Sequence, residues 1–219
     1  VRGFVDGEYQ DGELRGMTLI CGNRGMGKTT EMARLLCQCT GDAAFFDSVS
    51  KHAAVLRGWT VVSEPGAMKE VIRLARARRV ASRILYQPRG GSFDAHFESF
   101  CEIVLAVGDT IVGIDEVDKC CGARFGDSHM PKGLYDIVNY GRHHKVSTLV
   151  TVRNPFRVSY DLVNECAFMR LFRLKPRYVA YFKEWLEAED LALLQRLEKY
   201  QYLYWTDECE RGEVKGGRR

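Results

Sequence analysis

Apolar residues in this chain come in short unbroken runs separated by longer amphipathic stretches. Met17-Thr18-Leu19-Ile20-Cys21, Ala43-Ala44-Phe45-Phe46, Trp59-Thr60-Val61-Val62, Arg83-Ile84-Leu85-Tyr86-Gln87, Thr110-Ile111-Val112-Gly113-Ile114 and Ser147-Thr148-Leu149-Val150-Thr151-Val152 are such runs. They are too short for helices and lack the alternation of a half-exposed sheet, so they predict strands, those at Met17–Cys21, Thr110–Ile114 and Ser147–Val152 being buried. Phe168 to Leu174 predicts another. Helical spacing marks the segments between them: Thr29 to Cys39, Ser48 to Leu56, Pro65 to Arg79 with Pro65 at the first helical position, Phe93 to Val107, and Leu134 to Tyr140. Strands alternating with helices predict an α/β fold built on a mostly parallel sheet flanked by helices. Beyond Leu174 the pattern predicts two helices, Pro176 to Glu187 and Asp190 to Tyr200, then a charged, Gly-rich and loose tail from Glu208. The expected organisation is a core over residues 1–175 and a C-terminal helical extension over 176–219 of the same domain.

The first strand runs into Gly22-Asn23-Arg24-Gly25-Met26-Gly27-Lys28-Thr29-Thr30, which fits G-x-x-x-x-G-K-[ST]. A strand before this motif and a helix after it form the context that a phosphate-binding P-loop requires. Gly22, Gly25 and Gly27 let the backbone close around a phosphate without Cβ clashes. The loop N–H groups and the helix N-terminus aim partial positive charge at the anion. Lys28 reaches the β- and γ-phosphates, and Thr29 offers its hydroxyl to Mg²⁺. The expected fold narrows to a P-loop NTPase of the RecA/ASCE-like kind, with ATP and Mg²⁺ as cofactors.

A second apolar strand ends in Asp115-Glu116, the Walker B arrangement that a P-loop needs as a partner. Asp115 is placed to hold the Mg²⁺ shell, and Glu116 to polarise an attacking water. The second carboxylate favours hydrolysis over phosphoryl transfer to a small molecule. The strand ending at Val152 leads to Arg153-Asn154-Pro155. A polar side chain there can sense the γ-phosphate, Asn154 being the first choice and Arg153 the second. Asn-Pro is equally a turn signal.

Composition narrows the field only modestly. The 219 residues carry a net charge of +3, too small to announce nucleic-acid binding by itself. No apolar run approaches the roughly 20 residues that span a bilayer. Val1 to Gly16 is polar and Gly-rich, unlike a secretory leader. Of the eight cysteines, Cys21 and Cys101 lie in apolar segments and read as core residues. Cys37-Gln38-Cys39 and Cys120-Cys121 lack the spacing of a zinc site. His143 and His144 have no cysteine or carboxylate neighbours in sequence of the kind zinc sites show. Arg73, Arg76, Arg78, Arg79 and Arg83 form a basic cluster along one helix and its exit, and Arg89 sits beside Gly90 and Gly91. These residues could track phosphates without reading bases, or simply form a solvated face. Lys215, Arg218 and Arg219 in the tail would add to either picture.

The P-loop, Ile111-Val112-Gly113-Ile114-Asp115-Glu116, and the string from Gly141-Arg142-His143-His144 through Thr151-Val152-Arg153-Asn154-Pro155 to Phe168–Leu174 follow one another in an order that resembles the FtsK/HerA superfamily of P-loop ATPases. The resemblance covers roughly Gly16 to Trp185 and leans toward viral and phage genome-packaging ATPases and their Zot-like relatives. It implies a ring, a hexamer, that hydrolyses ATP between subunits and moves double-stranded DNA through its centre. Capsid or portal-vertex proteins would be partners, and the protein would act in the infected host's cytoplasm or in the virion. It also implies an arginine finger acting in trans, for which Arg142 is preferred and Arg124 is the competitor. The alternatives are a Zot-like assembly ATPase working on single-stranded DNA, a small-molecule kinase, and a nucleotide-switched binding module. A GTPase is disfavoured, because no N-K-x-D segment is present.

Overall fold

The protein was analysed as a computed structural model that describes residues 16–50, 52–124, 127–206 and 212–217. Three strands form its centre: β1 (Met17–Cys21), β5 (Thr110–Ile114) and β8 (Ser147–Val152), each buried along its whole length. Buried on both faces, they have no polar alternation, which is why they read as continuous apolar runs. On one side of them lie β2 (Asp42–Phe46), β4 (Arg83–Tyr86) and β3 (Thr60–Val62). On the other lie β9 (Cys166–Phe172), β10 (Gln201–Thr206) and β11 (Glu213–Gly216). Together they form a nine-stranded sheet in the order β11-β10-β9-β1-β8-β5-β2-β4-β3. From β9 to β3 all pairings are parallel, whereas β10 pairs antiparallel with both β9 and β11.

The order carries one functional consequence. β8 sits between the strand that enters the P-loop and the strand that ends in Asp115-Glu116. Cys21 is level with Val152, and Val150 with Ile114, so all three strands deliver their following residues to the same edge of the sheet.

The helices divide unequally between the faces. Helix α1 (Lys28–Gln38) packs Met32, Leu35 and Leu36 onto one face together with Leu56 and Trp59. The other face is covered by α2 (Pro65–Arg78), α3 (Phe93–Val107), α4 (Lys132–Tyr140) and α5 (Tyr160–Asn164). Pro65 opens α2, and Arg79, at φ 57, closes it in the left-handed conformation. Ser92 caps α3 by accepting the Ala95 N–H. β6 (Gly122–Arg124) and β7 (Asp127–His129) pair antiparallel, between β5 and α4 in chain order. Cys21 and Cys101 are fully buried. Among the described residues no helix is long and apolar enough to cross a membrane.

Two expectations are corrected. Of the segment Ser48 to Leu56, the described residues 48–50 and 52–56 form turns and bends rather than a helix. The cause is Asp47, whose carboxylate accepts the backbone N–H groups of Val49 and His52 and outcompetes helical pairing. The C-terminal extension is not wholly helical. Helices are confined to α6 (Pro176–Val179), a short 3-10 turn over Ala180–Phe182, and α7 (Ala188–Leu194). Gln201-Tyr202-Leu203-Tyr204-Trp205-Thr206 instead pairs with β9, as its aromatic content favours. Glu213–Gly216, within the segment expected to be loose, pairs with β10. Cys209, Arg218 and Arg219 lie outside the described residues.

Candidate active site

The loop between β1 and α1 is fixed at its base by both neighbouring strands. Gly22 donates its N–H to Val152 O at 3.3 Å, and Asn23 to Arg173 O at 3.0 Å. A Cβ on Gly22 would lie 2.6 Å from the Phe172 Cβ, so the close approach to β9 excludes any side chain. Gly25 (φ 79) and Gly27 (φ 113) hold left-handed backbone that turns the loop into a concave strip. Helix α1 starts at Lys28, at the end of that strip, and a helix N-terminus offers the N–H groups of its first turn to an anion. Met26 is buried, whereas Arg24 is exposed. Lys28 is buried, and its Nζ donates to Asn23 O at 3.1 Å, across the mouth of the loop. Burial pulls its pKa below the ordinary value, while Asp115 and Glu116 act in the opposite direction. An anion in the loop would supply the partner that a desolvated ammonium needs.

Opposite stand the two carboxylates. Thr29 Oγ1 lies 3.2 Å from Asp115 Oδ1, which also accepts from Thr151 Oγ1 at 2.7 Å. Burial pushes the Asp115 carboxyl up, against the hydrogen bonds from Thr151 and Thr29. A hydroxyl and a carboxylate at this spacing are hard oxygen donors suited to a divalent cation. The Thr151 hydroxyl is used twice, since it also accepts the Glu116 N–H at 2.7 Å. Glu116 has φ 50, a strained value for this residue type, of the kind that clusters at functional sites. Its carboxylate pairs with Lys119 and with Arg153 Nη1, the latter at 3.1 Å. Burial opposes ionisation of Glu116, but these two cations outweigh it and hold the carboxyl below its usual range.

Arg153 and Asn154 emerge at the end of β8, beside the P-loop as expected. Their side chains diverge. Arg153 reaches Glu116, and its backbone N–H is held by Asp118 at 3.1 Å. Asn154 caps the 3-10 turn over Pro155–Arg157 by accepting the Phe156 N–H at 3.2 Å. Both line a cleft of about 430 Å³ with Asn23, Arg24, Glu116 and Lys175.

Other expected site residues lie elsewhere. Arg142, His143 and His144 are exposed in the turn before β8, at the amino ends of the parallel strands. Arg142 therefore does not join the site of its own chain. Arg124 falls in the β6–β7 hairpin. The basic cluster is dispersed. Arg73 pairs with Glu70, Arg76 donates to Val107 O at 2.9 Å, and Arg83 binds Leu36 O and Cys39 O at the end of α1. Arg89 is exposed beside Gly90 and Gly91, at the opposite edge of the sheet from Arg76, Arg78 and Arg79.

Three residues near the centre have no counterpart among the expected ones: Thr151, Asp47 and His52. Thr151 was legible only as a polar residue in an apolar strand. Asp47 repeats the Asp115 pattern, an apolar strand ending in aspartate, and the register Phe46 to Ile114 places the two side by side.

The sheet order, with one strand between the P-loop strand and the Asp-Glu strand, defines the P-loop NTPase fold. No protein-family model and no curated protein matches the sequence. Solved structures do match. The genome packaging NTPase B204 from Sulfolobus turreted icosahedral virus 2, in complex with AMP, is 11% identical with a TM-score of 0.71 over 91% of this chain and 96% of its own. VirB4 of Thermoanaerobacter pseudethanolicus is 10% identical with a TM-score of 0.68 over 99% and 96%. The N-terminal domain of zonular occludens toxin from Neisseria meningitidis is 12% identical with a TM-score of 0.51 over 93% of each chain. The chain thus shares the P-loop NTPase fold of these structures.

Proposed function

We propose that the protein is an ATPase that translocates double-stranded DNA and packages a viral genome, working as a ring with nucleotide at subunit interfaces. One observation carries the hydrolytic part: Glu116 stands one residue beyond the carboxylate that meets Thr29, in a cleft open beside the P-loop. ATP would lie with its phosphates along Gly22–Thr30, within reach of Lys28. Mg²⁺ would be held by Thr29 and Asp115, where it would neutralise phosphate charge. Glu116 would orient and deprotonate the attacking water, and Arg153 would steer the Glu116 carboxylate. Asn154 borders the same cleft and is kept as a sensor of the terminal phosphate.

The ring rests on the cleft's open side and on Arg142, whose exposed position suits action on a neighbour's nucleotide. Arg124 is the competing finger. DNA is suggested by the likeness in fold to a genome packaging NTPase and by the exposed Arg89 loop. A capsid or portal-vertex partner, and a place in the host cytoplasm or virion, follow from the same reading.

The test is ATP turnover by the purified protein with and without duplex DNA over a range of salt concentrations. Strong stimulation by duplex that weakens with salt is expected, since phosphate contacts release counterions. Lys28→Ala should abolish turnover. Turnover indifferent to duplex would remove the translocase reading, and normal turnover by Lys28→Ala would remove the P-loop assignment.

A further inference from the structure

We propose that His52 is a nitrogen ligand of the divalent ion held at Asp115, and that Asp47 orients it. The proposal rests on the metal-dependent NTPase reading above. Asp47, His52 and Asp115 bring one donor atom each within 4.8 Å of one another. Asp47 and His52 lie outside the P-loop and the Asp115-Glu116 pair, on the turn after β2, where a helix was expected.

Asp47 is fully buried and committed to holding the imidazole. Its Oδ2 accepts the His52 N–H at 2.9 Å and Gln87 Nε2 at 2.8 Å, while its Oδ1 lies 2.7 Å from His52 Nδ1. In the neutral ring a carboxylate on Nδ1 makes that nitrogen the donor and leaves Nε2 as the electron-pair face. Phe45 fixes the ring from the side in an edge-on contact at 5.7 Å. Nε2 then faces Asp115 Oδ2 at 3.7 Å. That separation is too long for a hydrogen bond. It is close to the roughly 3–3.5 Å between two donors that share one ion at about 2.1 Å from each. Asp115 Oδ1 already takes the Thr29 and Thr151 hydroxyls, so the two oxygens of Asp115 face different neighbours. Carboxylate, imidazole and ion in series form the arrangement by which proteins orient histidine ligands.

The chemical consequence is a change in metal preference. Oxygen donors suit Mg²⁺ and Mn²⁺ alike, whereas one imidazole shifts preference toward later ions such as Co²⁺ or Zn²⁺. The centre would accept Mg²⁺ and the spectroscopic probe Mn²⁺, but bind Co²⁺ more tightly than oxygen donors alone provide.

The experiment is pulsed EPR on Mn²⁺ bound to the full chain, labelled with ¹⁵N only in histidine, with an unlabelled non-hydrolysable ATP analogue. A ¹⁵N coupling to Mn²⁺ is expected. It should vanish in His52→Gln and persist when the exposed His143 and His144 are changed to Gln, so the wild-type signal stands even if His52→Gln fails to fold. Asp47→Asn should weaken Mn²⁺ binding by about 10–100-fold. Mn²⁺ and analogue bound together without a ¹⁵N coupling would overturn the proposal and leave the NTPase reading intact. Failure of both Mn²⁺ and analogue to bind would overturn the two together.

Discussion

Arg153 Nη1 meets Glu116 Oε1 at 3.1 Å, joining the end of β8 to the residue proposed to activate water. The pair is part-exposed, so it contributes little to stability. Its value is positional, because Glu116 sits on strained backbone and its carboxylate needs lateral support. Glu116→Gln should bind ATP with near-wild-type affinity yet lower kcat by about 10²–10⁴, the span of a lost general base. Arg153→Ala should lower kcat by a smaller factor and change nucleotide affinity little. Single-turnover hydrolysis and equilibrium binding of a fluorescent analogue measure the two quantities separately. Near-normal kcat in Glu116→Gln would displace that residue from its role.

Thr151 supports both carboxylates through one oxygen, donating to Asp115 and accepting from the Glu116 N–H. Thr151→Val keeps the shape and removes both bonds. The orphaned groups are buried, so a stability loss of about 1–3 kcal/mol is expected, read as a lower midpoint in urea. Divalent-dependent nucleotide affinity should fall as well, because Asp115 loses its anchor. Unchanged metal dependence would show that Thr29 alone positions Asp115.

The central strands, the P-loop and the Asp-Glu pair were legible because each is local. A buried strand, a Gly-rich turn and a strand-end carboxylate are all written in contiguous residues. What escaped reading is non-local. His52 enters the centre only because Asp47 captures nearby N–H groups and unmakes an expected helix, and because β2 lies beside β5. Arg153 turns toward Glu116 while Asn154 caps the following turn, a divergence that sequence order does not encode. The pairing of Gln201–Thr206 with β9 depends on a partner some thirty residues away. The Arg73–Arg83 cluster read as one feature, but Glu70 and the carbonyls of Val107, Leu36 and Cys39 divide it.

Arg142 is exposed at the far edge of the sheet from its own P-loop, so any catalytic effect of this residue must pass between chains. Arg142→Ala should abolish turnover in a uniform ring. Mixing it with Glu116→Gln subunits, themselves inactive, should restore activity. Sites with a Glu116 carboxylate from one chain and Arg142 from the next then form statistically. Arginine fingers contribute on the order of 10³–10⁵ in rate, so partial restoration would be easily seen. No restoration at any mixing ratio, with mixed assembly verified, would remove Arg142 and bring Arg124 forward.

Glu31, in the first turn of the P-loop helix, binds Arg34 and the fully buried Arg170 of β9. Arg170 also donates to Tyr202 Oη at 2.7 Å and lies over the Tyr204 ring. The cluster thereby ties α1 to the strands on one side of β1. Burial raises the Glu31 pKa, but the bond from Arg34 and the charges of Arg170 and Arg34 outweigh it, so the folded value falls below the ordinary 4.5. A depressed carboxylate contributes stability that is present above the unfolded pKa and is lost as pH falls through the folded one. The wild-type protein should therefore lose stability below about pH 4.5 through this group. Glu31→Gln removes that pH dependence and takes a hydrogen-bonded counter-ion from the buried Arg170, at a cost of about 3–5 kcal/mol near neutrality. For a chain of this size the melting temperature should drop by roughly 10 °C at pH 7, with the gap to wild type narrowing toward pH 3. A gap that stays constant with pH would mean that Glu31 acts by packing alone.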